Sequence, residues 1–140
     1  MKCFLAILAL VHAVAADESG VVKLSSFEPS EHRNTFSGRV TNLTDVPIYI
    51  LAPGSLRAEY KVEGEWKPVP RLHADMRQDW ITIEPGSDSG LLIRVHPDLY
   101  PDNSLLRAVL HLLDPHTAKT IESIRSPAFD PRKTGANKAE

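Results

Sequence analysis

Residues 35–51 read TFSGRVTNLTDVPIYIL and contain the most regular pattern in the chain. Phe36, Gly38 and Val40 alternate with polar residues, which is the period of a strand with one buried and one solvated face. The NLTDVP that follows has the residue types of a turn, because Asn and Asp side chains bond their own backbone and Pro fixes φ. The apolar IYIL then has the composition of a fully buried strand. This stretch predicts two strands joined by a short crossing, and hence a β-rich fold.

The rest of the chain is divided into short β-like pieces by its 11 prolines and 7 glycines. Short strands separated by turn residues are typical of a sandwich. A β-hairpin is expected over residues 57–69, with Glu63 and Gly64 at its turn. If Val62 pairs with Glu65, Tyr60 and Trp66 fall on opposite faces, whereas a one-residue shift brings them together. Further strands are expected over residues 21–27, 79–83 and 90–95.

Residues 105–113, LLRAVLHLL, admit two interpretations. As a helix the segment has Ser104 as N-cap and an apolar stripe at helical spacing. As a strand it places Leu106, Ala108, Leu110 and Leu112 on one face. We favour the strand, because the β-like residues 120–125 would otherwise have no pairing partner.

Residues 1–16 have the order of a secretory signal peptide. Lys2 precedes an apolar run, and small residues follow at Ala13, Ala15 and Ala16, so cleavage is expected after Ala15 or Ala16. The apolar run is shorter than the roughly 20 residues that a membrane-spanning helix needs. We therefore expect an exported protein, periplasmic or secreted, without a stable membrane span.

Composition narrows the class of protein further. The single cysteine, Cys3, lies in the leader, and a cysteine-free mature chain in an oxidising compartment is common among bacterial periplasmic proteins. The net charge is −2 with basic and acidic residues interspersed, which disfavours nucleic acid as a ligand. We expect one domain over residues 17–125 and a disordered tail over residues 126–140.

Four segments together resemble the immunoglobulin-like domains of exported bacterial proteins: a GRVTN strand end, an NLTDVPIYI crossing, an EYKVEGEW hairpin, and an IEPGS turn before LLIRV. The resemblance covers residues 21–125. The same residues are similar, more distantly, to the small immunoglobulin-like domains of a bacterial intracellular proteinase inhibitor group. The resemblance implies an all-β, immunoglobulin-like antiparallel β-sandwich of about seven strands. No functional residue is carried over by it, since fold alone does not define function.

No catalytic, cofactor-binding or metal-binding residues are expected, and no cofactor. The SDSG at residues 87–90 suits a turn between strands, without an adjacent His for a catalytic Ser. The histidines lack metal-ligand spacing, and the groupings closest to one are His73 with Asp75, and His111 and His116 with Asp114. Asn42, Leu43 and Thr44 match the N-glycosylation sequon. In a bacterial protein we interpret that match as a turn.

The sequence favours a non-catalytic interaction module, not an enzyme, that binds an unknown protein, peptide or cell-surface partner. The hairpin over residues 57–70 or a free sheet edge would make the contact. Tyr60 and Trp66 are the candidate partner-binding residues, because aromatic side chains dominate such interfaces. The alternative is an inhibitor of an extracytoplasmic protease that presents the loops at residues 71–78 and 97–104.

Overall fold

The computed structural model describes residues 20–71 and 77–132, which form an all-β fold of antiparallel sheets. The expected signal peptide over residues 1–16 lies outside the described residues. Within them the chain forms ten strands and one 3-10 helix, at Pro97–Leu99. The strands are β1 Val22–Leu24, β2 Glu28–Pro29, β3 Thr35–Asn42, β4 Ile48–Ala52, β5 Leu56–Val62, β6 Glu65–Pro68, β7 Asp79–Ile83, β8 Asp88–Arg94, β9 Leu106–Leu113 and β10 Thr120–Arg125.

The strands form three antiparallel groups, an arrangement consistent with a β-sandwich. In the first, β3 pairs with β1 and β2 along one edge and with β8 along the other. The second has the order β10-β9-β5-β6, and we call it the hairpin sheet. The third is a ribbon of β4 and β7.

The alternation predicted for residues 35–42 is confirmed, since β3 has the predicted bounds and buries Phe36 and Val40. Gly38 shares that face, and the ring of Phe27 occupies the space that a side chain there would need. Of the strand predicted over residues 21–27, only Val22–Leu24 forms a strand, β1. The buried Phe27 follows it, and β2 begins after Phe27.

Asn42 lies where β3 crosses over to β4, and its side chain is completely buried. Its amide nitrogen donates to the carbonyls of Val46, at 2.8 Å, and Ile83, at 2.9 Å. Its amide oxygen accepts from the backbone N–H of Thr44, at 2.9 Å, and from the Thr44 hydroxyl, at 2.6 Å. The hydrogen-bonding capacity of the amide is thus filled. In this fold both N–H groups of the Asn42 amide donate to backbone carbonyls of the same chain.

The strand interpretation of residues 105–113 is confirmed. β9 pairs with β5 on one side and with β10 on the other. The expected inward face is buried, with Leu106, Ala108 and Leu110 fully enclosed. The partner that residues 120–125 needed is therefore β9 itself.

The expectation of a disordered tail from residue 126 is wrong at its start. Ser126 is buried, and its hydroxyl accepts from the Ala108 N–H at 2.8 Å. Phe129 exchanges two backbone hydrogen bonds with Leu106 and contacts the rings of Phe27 and Phe36 in the core. The domain consequently extends beyond residue 125, at least to residue 132, and residues 133–140 lie outside the described part.

Gly38→Ala tests the contact between β3 and Phe27. The added Cβ would lie 2.5 Å from a ring carbon of Phe27, which is itself buried and cannot move freely. We expect the free energy of unfolding in urea to fall by about 1–3 kcal/mol. Gly90→Ala is the matched control, because no heavy atom lies within 4 Å of its added Cβ, and it should change stability by less than about 0.5 kcal/mol. Equal losses in both variants would contradict this packing.

Asn42→Asp tests the crossing. The new carboxylate would face the carbonyls of Val46 and Ile83 without a proton to donate, and we expect a loss of about 3 kcal/mol at neutral pH. That environment raises the pKa of the new carboxyl in the folded state, so the loss should shrink as the pH falls. Urea denaturation of the variant and of the unchanged protein across pH measures this. A loss that does not depend on pH would argue against direct contact with the carbonyls.

Candidate partner-binding face

The turn of the hairpin determines which side chains share a face. Glu63 and Gly64 have positive φ angles of 53° and 79°, the backbone of a two-residue type I′ turn. This turn pairs Val62 with Glu65 and Lys61 with Trp66. Of the two registers that the sequence left open, the structure therefore has the one that separates Tyr60 from Trp66.

The two candidate contact residues consequently do not act together. Tyr60 is half-buried and packs against the core, whereas Trp66 is half-buried on the outer face. Trp80, on β7, is the more exposed tryptophan, at 46%. Only Trp66 of the predicted pair is available to a partner on the outer face of the hairpin sheet.

The Trp66 side chain belongs to a cluster with three charged residues, which we call the Trp66 cluster. The Arg107 guanidinium lies 4.2 Å from the centroid of the indole ring, and the Lys61 Nζ lies 5.8 Å from it. Arg107 is in turn fixed by Glu59, whose Oε1 accepts from Nε at 2.8 Å and from Nη2 at 2.7 Å. Both members of this ion pair are only about one-fifth exposed. The cation over the indole is therefore held in one orientation.

The outer face of the hairpin sheet carries more positive than negative charge. By strand register, Arg57 and Lys61 of β5, Arg107 of β9 and Arg125 of β10 all point to this side. We call these four residues the cationic face. Among the outward-pointing residues described on β5, β9 and β10, Glu59 is the single carboxylate, and Arg107 already binds it.

A half-buried histidine lies beside the cationic face. The His111 Nδ1 lies 2.7 Å from the Ser123 hydroxyl. Burial lowers the pKa of His111, and the positive charges of Arg57, Arg71 and Arg125 lower it further. The imidazole is thus favoured in its neutral form by the same cations that define the surface.

Arg71 extends the positive region along β5. Its guanidinium donates to the carbonyls of Gly54, at 2.8 Å, and Leu56, at 2.7 Å, which fixes its position. Burial, and then the charge of Arg57, lower its pKa. Arg71 is also one of the three cations that lower the pKa of His111, whereas Glu59 acts on that pKa in the opposite direction. This surrounding suits the binding of an anionic group.

The remaining sites considered from sequence lie elsewhere. Leu99 and Tyr100 pack against the core and Ser104 is buried, so the loop at residues 97–104 is fixed to the domain at both ends. In the other loop, residues 72–76 lie outside the described part, together with His73 and Asp75. The expectation that the SDSG segment is a turn holds only for Ser87, which closes the turn at residues 84–87. Residues 88–90 are the start of β8, where Asp88 binds Arg39 at 2.8 Å.

Two further properties concern the described residues alone. They contain no group of three or more His, Cys, Asp or Glu side chains arranged to hold a metal ion. They also contain no helix whose length and apolar character would let it cross a membrane.

No protein-family model, curated protein or solved structure matches this chain.

The His111 environment predicts a pH dependence of stability. Since the pKa is lowered on folding, the unfolded chain binds the proton more readily, and stability should fall as the pH drops below the ordinary value of 6.5. His111→Gln should flatten the stability profile between about pH 7 and pH 5. Arg125→Gln, which removes one of the three cations, should flatten it in part. Thermal unfolding across pH gives the profiles, and an unchanged slope in His111→Gln would refute the assignment.

Proposed function

We propose that the chain is a non-catalytic interaction module of the periplasm or the extracellular space, and that its cationic face binds an acidic segment of a protein partner. The observation that carries the proposal is the Trp66 cluster, in which Glu59 fixes Arg107 over the indole ring. The secretory pattern of residues 1–16 supports the location.

The Trp66 cluster has the properties of an interface anchor. Tryptophan and arginine are the residues most enriched among those that dominate binding energy. Arg107 is already ordered by its ion pair with Glu59, so less side-chain freedom is lost when a partner binds. The half-buried indole keeps part of its surface for contact.

The charge of the face favours an acidic partner. Arg57 and Arg125 are exposed and have no carboxylate partner among the described residues, so both remain available for a new ion pair. The whole chain has a net charge of −2, and the positive charge is therefore local to this face. A local field of this kind steers partners of opposite charge and selects their orientation.

The fold that presents this face is, we propose, an immunoglobulin-like sandwich. Its support is the antiparallel pairing of β3 with β8 in one layer and of β5 with β9 in the other. Domains of this class present rigid sheet faces and end loops to partners without catalysis.

Site-specific photo-crosslinking in the native host tests the proposed face. A crosslinking amino acid at Arg57 should give a defined protein adduct, because Arg57 is an exposed member of the cationic face. The same probe at Thr82, exposed on β7 and away from this face, is the control. In the Arg57 probe strain, Trp66→Ala should reduce the adduct about tenfold or more, whereas Trp80→Ala should leave it unchanged.

Adducts of equal identity and yield at Arg57 and Thr82 would contradict the proposal. A probe at Asp102 extends the experiment to the inhibitor alternative, which the fixed loop at residues 97–104 favours. A protease adduct at Asp102 with none at Arg57 would select that alternative.

A further inference from the structure

Among residues 20–71 and 77–132, strand β8 pairs with β3 on one side only, and its other edge has no partner strand there. The hydrogen bonds from Asn42 N to Ser87 O and from Val95 N to Asn34 O show that odd-numbered residues bond toward β3. In an antiparallel pair the alternate residues bond the other way. The N–H and C=O groups of Asp88, Gly90, Leu92 and Arg94 therefore point away from β3.

Solvent reaches this edge from both sides of the sheet. One groove of about 370 Å³ runs along the inner side, where Ile50, Ile81 and Leu110 line it together with β8. A second groove runs along the outer side, beside Ser37 and Arg39. Gly90 and Leu92 line both grooves, and the Leu92 side chain is 60% exposed.

The edge lacks the features with which proteins usually prevent strand addition. Pro, Lys and bulges serve that purpose, and β6, the edge strand of the hairpin sheet, has Lys67 and Pro68. β8 is seven residues long, DSGLLIR, with neither Pro nor Lys and with an unbroken register to β3. An unpaired edge of this length and regularity is a template for another strand.

We propose that β8 pairs antiparallel with β8 of a second copy of this chain, about a two-fold axis at Leu91. In this register Asp88 lies opposite Arg94 of the partner subunit, and Gly90 lies opposite Leu92 of the partner subunit. All four residues belong to the set whose N–H and C=O groups point outward, so each opposed pair exchanges both hydrogen bonds.

The side chains of β8 are complementary to themselves in this register. The two-fold axis forms the Asp88 to Arg94 pair twice, once at each end of the joined strands. Asp88 binds Arg39 through Oδ1, which leaves Oδ2 for the second cation. No heavy atom lies within 4 Å of a Cβ built on Gly90, so Leu92 of the partner subunit has room there.

Other registers lose this complementarity. A shift of two residues in one direction opposes Gly90 to itself and Asp88 to Leu92, and in the other direction it opposes Leu92 to itself. Either shift removes both Asp–Arg pairs. A shift of one residue places each even-numbered residue of β8 opposite an odd-numbered residue of the second copy. The N–H and C=O groups of the odd-numbered residues already bond to β3, so no continuous set of hydrogen bonds can form.

Amide hydrogen exchange at several protein concentrations tests the proposal directly, with the protein as its host produces it. The amides of Gly90 and Leu92 should become protected as the concentration rises, because the second copy supplies acceptors that no strand of the described residues provides. The amides of Leu91 and Ile93, which bond to β3, should be protected at every concentration. Sedimentation equilibrium over the same range should show a weak dimer, since strand pairing alone buries a small interface.

Arg94→Glu supplies the specificity test, because it places a carboxylate opposite Asp88 of the partner subunit at each end of the joined strands. We expect the dimer dissociation constant to rise about tenfold or more, with Lys119→Glu, the same charge change at an exposed turn, leaving it unaltered. A monomer at all concentrations would overturn the proposal. So would a dimer that protects neither Gly90 nor Leu92, or one that Arg94→Glu does not weaken. Because Arg94 lies outside the cationic face, the outcome is independent of the proposed partner binding.

Discussion

The side chain of Asn42 connects the sheet that contains β3 and β8 to the ribbon of β4 and β7. β3 and β4 pair with β8 and β7 respectively, and the two ladders are separated by residues 42–47 on one side and 84–87 on the other. Asn42 spans this interruption, since its amide binds the crossing at Val46 and the end of β7 at Ile83, while its backbone bonds Ser87 and Gly86. A buried amide with all its hydrogen bonds satisfied defines one register and penalises the others.

The Trp66 cluster depends on a second local constraint, the type I′ turn at Glu63 and Gly64. This turn sets the register that directs Trp66 outward and Tyr60 toward the core. The pairing of β5 with β9 then brings Glu59 opposite Arg107 on the same side as Trp66. Two backbone registers, one local and one distant, thus build the Trp66 cluster, and none of its members needs to be held by a loop.

Local patterns predicted the strands well where one face is buried. β3 and β7 have the predicted bounds, and β9 and β10 were identified because each required the other as a partner. The role of Phe129 was missed, since one aromatic residue among polar ones has no periodicity. About seven strands were expected, and the described residues form ten, of which β1 and β2 are short strands on either side of Phe27.

Candidate site residues were harder to predict than strands. Trp66 was identified by its residue type, but Arg107 and Glu59 are 48 residues apart and meet only through the order of the strands in the hairpin sheet. His111 and Ser123 likewise meet by cross-strand register. Such pairings depend on topology, and a single sequence without a matched family contains no direct signal for them.

The central claim is that the cationic face is preorganised for an acidic segment. NMR titration with a short glutamate-rich peptide tests it most directly, with side-chain N–H signals as the readout. The account predicts shifts at the Trp66 indole and the Arg107 and Arg125 guanidinium groups, and their loss as salt is added. Shifts confined to other surfaces, or shifts at Trp66 that do not depend on salt, would contradict it.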